Sequence, residues 1–302
     1  MKKTLLFLIV TLVFSCKNDP KDNGKLNVVT TTSMITDLVK NIGGDSLNVQ
    51  GLMGSGVDPH LYKASEGDVS KLVNADIIFY NGLHLEGKLV EVFEKMGSAT
   101  KIPIALADEL DETTLIGSDY FASNYDPHVW FDIDYFKQFA NKVTNILSEM
   151  NPDNNAIFEA NKTKYISKLD QLQDKVRSII ATLPQEKRIL VTAHDAFNYF
   201  GKAYGFEVVG LQGLSTATEA GVQDVQKLAA FIIEKQIKAV FVESSVPRRT
   251  IEALQAAVKS KDHNVEIGGT LYSDALGNPG TVEGTYIGMF EYNVNTIVNA
   301  LK

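Results

Sequence analysis

The sequence predicts an α/β protein built from two βα lobes with parallel sheets, joined by one long rigid helix. From Leu26 onward, short runs rich in β-branched and aromatic residues alternate with segments whose apolar residues recur at helical spacing. This alternation is typical of parallel sheets flanked by helices. The 302 residues exceed one minimal domain and are sufficient for two. Residues 153–182, which contain neither glycine nor proline, separate two halves of similar size.

The first sixteen residues resemble a bacterial lipoprotein signal. Lys2 and Lys3 precede an apolar stretch from Leu5 to Phe14 that is too short to anchor the chain across a bilayer, and Ser15-Cys16 follows directly. In such signals the cysteine is lipidated and becomes the new N-terminus, so we expect an extracytoplasmic protein anchored to a bacterial membrane through Cys16. The alternative is an ordinary signal peptide with an incidental cysteine. Cys16 is the single cysteine, so a metal site in the mature chain would use nitrogen and oxygen ligands.

The first half predicts four strands and four helices, with breaks at turn-forming residues. Ser33 is a candidate N-cap of the first helix, which Gly43-Gly44 would end, and Ser65, with Glu66 and Asp68, is the candidate N-cap of the second. Asn151-Pro152 would end the last helix. A polar, acidic loop is expected over residues 107–125. The predicted strands lie at 26–32, 47–52, 75–81 and 102–106, and the predicted helices lie at 33–42, from 65, at 86–95 and at 134–150.

The helix predicted over residues 153–182 would be about 30 residues long, or roughly 45 Å at 1.5 Å per residue. Its apolar residues recur on one face among many charged ones. Such a helix is either an exposed helix packed on one domain or a rigid connection between two domains, and we favour the second interpretation.

The second half repeats the alternation. Arg188 to Thr192 reads as a buried strand, and His194 falls where that strand stops and a helix begins. Further strands are expected at 206–210, 238–245 and 264–269, with helices at 222–235, 247–260 and 283–301. The expected organisation is therefore a signal peptide at 1–16, a flexible tether at 17–25, an N-terminal lobe at 26–150, a linking helix at 151–185 and a C-terminal lobe at 186–302.

Three histidines and one aspartate lie in matching positions, each in a loop after an apolar run: His60, His128, His194 and Asp274. The carboxyl ends of strands are where open α/β sheets bind ligands. If a helix begins at His194, the positive end of its dipole would disfavour the imidazolium form of this residue and leave a ring lone pair available for a metal. Asp274 would offset the charge of a dication, although it could instead cap a helix. The leading hypothesis is a divalent-metal site.

Two of these histidines share the tripeptide Asp-Pro-His. Proline restrains its own backbone and that of the residue before it, so each imidazole is presented from a stiff loop. The preceding Asp58 and Asp126 could each accept a hydrogen bond from a loop amide, or orient the imidazole by contacting the ring nitrogen that does not bind the metal. Glu219 and Glu243 also lie at loop or strand ends, where we interpret them as supporting groups rather than ligands.

The composition argues against several other functions. The net charge is −8, and there is no basic stripe with interleaved aromatic residues, so we expect no nucleic-acid partner. A zinc hydrolase with Glu219 or Glu243 as base is an alternative, but four protein ligands would close the coordination position that a catalytic zinc keeps for water. We therefore expect no enzymatic activity.

Several motifs together resemble the TroA-like metal-binding lipoproteins, the solute-binding components of zinc and manganese ABC transporters, once called the adhesin family. The motifs, in the order and spacing of that family, are DPHLYKAS, NGLHLEG, DPHVWFD, VTAHDAFNYF, GLQGLSTATEAG, VFVESS and LYSDALG. The resemblance implies a metal in the cleft between the two lobes, bound by His60 and His128 from the first lobe and His194 and Asp274 from the second.

The resemblance also implies delivery of the metal to a membrane ABC permease, and we expect a monomer. Manganese-dedicated relatives commonly have a glutamate where this chain has His194, which favours zinc. Zinc-dedicated relatives often carry a histidine-rich loop before the second histidine, whereas residues 107–125 contain no histidine. We expect Zn²⁺ first and Mn²⁺ next. A surface adhesin with a structural metal is a further alternative that rests on the old family name alone.

Overall fold

The computed structural model describes residues 24–96, 103–119 and 121–302. The predicted signal peptide, Cys16 and most of the predicted tether lie outside these residues. Within the described part of the chain, no helix is both long enough and apolar enough to cross a membrane.

The N-terminal half forms one four-stranded parallel sheet with the strand order β2-β1-β3-β4. Ser65 caps its second helix together with Asp68, as the sequence predicts. The last strand is only two residues long. The elements are β1 Leu26–Thr30, α1 Ser33–Gly43, β2 Leu47–Gly51, α2 Glu66–Asn74, β3 Ile77–Tyr80, α3 Gly87–Met96, β4 Ile104–Ala105 and α4 Ile133–Met150.

The C-terminal half contains two parallel pairs of strands, the first with the second and the third with the fourth. The first and third of these strands lie side by side, so the carboxyl ends of both pairs meet at one edge. The elements are β5 Ile189–His194, α6 Asn198–Tyr204, β6 Glu207–Gln212, α7 Val222–Glu234, β7 Ala239–Glu243, α8 Arg249–Lys259, β8 Glu266–Leu271 and α9 Tyr286–Leu301.

The long helix between the halves is α5, Asn155–Ile180, with 26 residues. A short turn at Pro152–Asn154 precedes it. Its buried face packs against α1 and α4 of the first half and against α9 of the second. Because α5 contacts elements of both halves, the prediction of two βα lobes joined by one long helix is confirmed.

The two lobes share a continuous apolar core. The ring of Phe136 on α4 stacks on Tyr286 of α9, with ring centroids 3.7 Å apart and planes within 10° of parallel. Phe131, from the first half, packs against Phe197 of the second at 4.4 Å. The lobes are therefore held together by buried aromatic side chains as well as by α5.

Two local expectations were wrong. Thr32, not Ser33, caps α1, because its side chain accepts a hydrogen bond from the amide of Ile35; Ser33 is the first helical residue. His194 is the last residue of β5, and α6 begins only at Asn198. The dipole of α6 therefore does not act on the imidazole of His194 in the way that we expected, since the dipole effect is confined to the first turn.

The shared core predicts that one substitution destabilises the whole molecule. Phe136 is fully buried, so Phe136→Ala should lower the free energy of unfolding by roughly 3–5 kcal/mol because it leaves a cavity between the lobes. Chemical denaturation followed by circular dichroism measures this loss. The control is Ile157→Ala on α5, where the side chain is largely exposed and the change should be below about 1 kcal/mol. A loss in Phe136→Ala no larger than in the control would contradict a shared core.

Candidate metal centre

Four loops at the carboxyl ends of strands bring the predicted ligands together. His60 lies between β2 and α2, and His128 lies in the loop that precedes α4. His194 ends β5, and Asp274 follows β8. Their four ligand atoms all lie within 4.8 Å of one another. The structure therefore places two ligands from each lobe at one point in the cleft.

The distances within this cluster are those of a small coordination shell. Nε2 of His60 lies 3.2 Å from Nε2 of His128, and Nε2 of His194 lies 3.2 Å from Oδ2 of Asp274. Nε2 of His128 is 3.6 Å from Oδ1 of Asp274, and Nε2 of His60 is 4.0 Å from Oδ2. A tetrahedral zinc site with bonds of about 2.0–2.1 Å has ligand atoms roughly 3.3 Å apart. Two of these distances match this spacing, and the cluster as a whole is somewhat wider, with all its ligand atoms within 4.8 Å.

The cluster is almost completely removed from solvent. His128, His194 and Asp274 are at most 1% exposed, and His60 is 6% exposed. Among the described residues, the carboxylate oxygens of Asp274 meet only imidazole nitrogens, of which Nε2 of His194 lies nearest at 3.2 Å. Buried polar atoms are normally paired, and a buried carboxylate is costly without a cation. A bound metal ion would satisfy both residues.

Asp126 supports His128 from behind. Its Oδ1 accepts a hydrogen bond from the backbone amide of His128 at 2.9 Å and lies 2.7 Å from the ring Nδ1. A donor bond from Nδ1 to this carboxylate would fix the tautomer and leave the lone pair of Nε2 pointing into the cluster. The sequence predicts this role for the aspartate of the Asp-Pro-His motif.

Glu243, the last residue of β7, supports His194 in a similar way. Its Oε1 accepts a hydrogen bond from the backbone amide of His194 at 2.9 Å. Its Oε2 lies 2.6 Å from the ring Nδ1. Because both oxygens face His194, Glu243 holds the backbone and the ring of this residue together.

Asp58 holds the first Asp-Pro-His loop by its backbone. Oδ1 accepts from the amide of His60 at 2.8 Å, and Oδ2 accepts from the hydroxyl of Thr216, in the C-terminal lobe, at 2.5 Å. Asp58 therefore supports the loop of His60 and joins it to the other lobe.

Other residues singled out in the sequence lie away from the cluster. We expected Glu219 to support the predicted ligands. Its side chain is instead 81% exposed and pairs with Arg249, so the structure does not place it beside them. His84, in the NGLHLEG motif, is exposed and is separated from His60 by the ring of Phe121, which both histidines meet in edge contacts.

Sequence reasoning missed two side chains that hold the loop of Asp274. Nε1 of Trp130 donates to the carbonyl of Ser273 at 3.0 Å, and the hydroxyl of Ser33 accepts from the amide of Leu276 at 2.8 Å. Both come from the N-terminal lobe. Trp130 lies two residues after His128 and is the single tryptophan of the chain, which is the one local signal that could have pointed to it.

The charges in the cluster depend strongly on one another. Burial lowers the pKa of His60 to about 3, so its ring is neutral and available to a metal. Burial alone would raise the pKa of Asp274, but the neighbouring histidines, led by His194, outweigh this effect and lower it. Burial alone would lower the pKa of His194, but Asp274 and Glu243 outweigh it and raise that pKa well above its ordinary value. Without a metal, His194 therefore carries the proton that compensates the buried carboxylates.

Comparison with known proteins places this arrangement in a family. The family model for ZnuA, described as zinc-uptake complex component A, periplasmic, matches residues 28–300. The chain belongs to the ZnuA family. The match includes all four predicted ligands and both lobes.

Individual relatives of this ZnuA-family chain are close in sequence and structure. The zinc-binding protein TroA of Treponema pallidum is 47% identical over 291 residues, covering 96% of this chain and 93% of that protein. The manganese-binding lipoprotein MntA of Bacillus subtilis is 49% identical over 278 residues, covering 92% and 90%. The solved structure of periplasmic TroA from Treponema pallidum superposes with a TM-score of 0.89 at 48% identity, covering 92% of this chain and 99% of that one.

The raised pKa of His194 predicts how metal affinity in this ZnuA-family protein depends on pH. A metal ion bound by His194 would displace its proton, so the apparent affinity should fall by about tenfold per pH unit for each proton displaced. Because the pKa of His194 is raised well above its ordinary value by Asp274 and Glu243, the fall should begin at a higher pH than it would for an ordinary histidine. His60, with a pKa of about 3, should contribute no proton near neutral pH.

Isothermal titration calorimetry in buffers of different ionisation enthalpy counts the protons that are released. We expect at least one proton per metal ion at pH 7, and a smaller number in His194→Ala. An affinity that stayed constant from pH 8 to 5 would contradict a role of His194 as a ligand.

Proposed function

We propose that this chain is the extracytoplasmic solute-binding component that captures a divalent transition metal and delivers it to a membrane ABC permease for uptake. We propose His60, His128, His194 and Asp274 as the ligands. The observation that carries the proposal is the buried carboxylate of Asp274, whose two oxygens meet no group among the described residues other than three imidazole rings.

Zn²⁺ is the favoured metal and Mn²⁺ the next. Three nitrogen ligands and one carboxylate at roughly tetrahedral spacing suit zinc, whereas manganese prefers oxygen ligands and a higher coordination number. The relatives do not separate the two metals, since one is named for zinc and another, of similar identity, for manganese. The preference for zinc therefore rests on the ligand set.

The lipid anchor and the domain boundaries are part of the same proposal. Lipidation of Cys16 would leave residues 17–25 as a tether between the membrane and the folded lobes. The lobes would extend over 26–150 and 186–302, with the linking helix at 151–185. We also propose that the protein is a monomer.

The contacts around the cluster favour binding over catalysis. Glu243, one of two candidate bases for a zinc hydrolase, has both oxygens at His194. Glu219, the other candidate, is exposed and paired with Arg249. Four protein ligands leave no coordination position for a reacting water in a tetrahedral site. We propose that the protein is not an enzyme.

Metal content measures the proposed function directly. The metal-free protein is offered equimolar Zn²⁺ and Mn²⁺, dialysed and analysed by elemental mass spectrometry, beside His194→Ala and the control His263→Ala, which alters a surface turn. We expect one equivalent of zinc in the wild type and in His263→Ala. His194→Ala should retain less than about a tenth of an equivalent, because loss of a buried ligand typically weakens a metal site strongly.

Preferential retention of manganese would move the assignment to a manganese transporter, since zinc normally binds such ligands more tightly. An absence of bound metal in the wild type would overturn the proposed function.

A further inference from the structure

The short helix α6 begins four residues after His194 and lies against the loop that carries His128 from the other lobe. Its first two residues, Asn198 and Tyr199, both contact Asp126, the aspartate behind His128. One segment of the C-terminal lobe, residues 194–199, therefore supplies one predicted ligand and touches the support of another.

The contacts with Asp126 are specific and largely buried. Nδ2 of Asn198 donates to Oδ2 of Asp126 at 3.1 Å, and it also donates to the carbonyl of Asp195 at 3.2 Å. The hydroxyl of Tyr199 donates to the backbone carbonyl of Asp126 at 3.0 Å and accepts from the amide of Ile116 at 3.1 Å. Tyr199 and Asp126 are both fully buried. The side chain and the backbone of Asp126 are thus held by two adjacent residues of the other lobe.

The remaining oxygen of Asp126 continues this path to the metal site. Oδ1 accepts from the amide of His128 and lies 2.7 Å from its ring Nδ1. The contacts therefore run from α6 through Asp126 to His128. Because ring nitrogens must stay within a few tenths of an ångström of their position to bind a metal well, the placement of Asp126 controls the placement of the His128 ring.

We propose that Asn198 and Tyr199 are positioning residues that hold His128 against the metal and thereby set the rate at which the metal leaves. The inference rests on the proposed function, since it concerns the same four-ligand site. Loss of either contact frees the loop of His128 without removing a ligand. The bound state should then lose its metal faster, while the rate of capture, which is limited by encounter, changes little.

Tyr204 provides a matched control on the same helix. It is buried like Tyr199, but within the described residues its hydroxyl has no hydrogen-bond partner. Tyr199→Phe and Tyr204→Phe therefore remove the same atom from two buried rings of α6, and only the first removes contacts with Asp126 and Ile116.

The experiment measures zinc dissociation by stopped-flow mixing of the zinc-loaded protein with an excess of a chromophoric chelator. We expect dissociation from Tyr199→Phe and from Asn198→Ala to be about three- to tenfold faster than from the wild type, as expected for the loss of one or two net hydrogen bonds that support a ligand. Tyr204→Phe should match the wild type. Association rates should stay within about twofold.

A second readout is the imidazole Nδ1–H resonance of zinc-loaded protein labelled with ¹⁵N in its histidine rings. We expect the His128 resonance, protected by Asp126, to broaden by faster solvent exchange in Tyr199→Phe. The resonance of His194, held by Glu243, should be unchanged and serves as the internal reference. Asn198→Ala keeps the test valid if Tyr199→Phe does not fold.

Equal dissociation rates for the Tyr199→Phe, Asn198→Ala and Tyr204→Phe variants would overturn the inference. The inference would also be overturned if the variants lowered the melting temperature of the metal-free protein but left the zinc dissociation rate unchanged, because that result would assign these residues a structural role alone. Failure of the proposed function is a different result, since the wild type would then bind no zinc. One outcome supports both the proposed function and this inference: every variant retains one equivalent of zinc, and zinc dissociates faster from Tyr199→Phe and Asn198→Ala than from Tyr204→Phe.

Discussion

The buried carboxylate of Asp274 is the constraint on which the site depends. A charge removed from water is stable only beside an opposite charge, and the groups that surround Asp274 are three imidazole rings. In the metal-free protein the raised pKa of His194 provides a compensating proton. In our proposal a dication takes the place of this proton in the loaded protein, so that the cluster exchanges a proton for a metal ion.

Two loops of the cluster are held in part by side chains of the opposite lobe. Trp130 of the first lobe donates to Ser273 beside Asp274, and Thr216 of the second lobe donates to Asp58 beside His60. The stacked rings of α4 and α9, together with the contacts that α5 makes with both lobes, hold the two lobes in one relative position. If these contacts keep the loops ordered in the metal-free protein, little of the binding free energy is spent on ordering them.

The sequence predicted the features that depend on local rules. The repeated Asp-Pro-His motif and the position of His194 at a strand end identified three candidate ligands, and Ser65 was correctly assigned as a helix cap. The sequence did not predict the position of a side chain where the contact that fixes it joins residues far apart in the chain. From the sequence we expected Glu219 to lie near the site, but it pairs with Arg249 at the surface. Trp130 donates a hydrogen bond to Ser273, which lies 143 residues later in the chain. Neither contact leaves a periodicity or a motif that a single sequence can reveal.

X-ray absorption spectroscopy at the zinc edge tests the central claim most directly, because it reports the ligands of the metal itself. For the zinc-loaded protein we predict four nitrogen or oxygen ligands at about 2.0–2.1 Å, with the multiple scattering of three imidazole rings. His60→Ala should reduce the imidazole number to two, while His263→Ala should leave the spectrum unchanged. A shell of six oxygen ligands, or a spectrum that is insensitive to His60→Ala, would contradict the account.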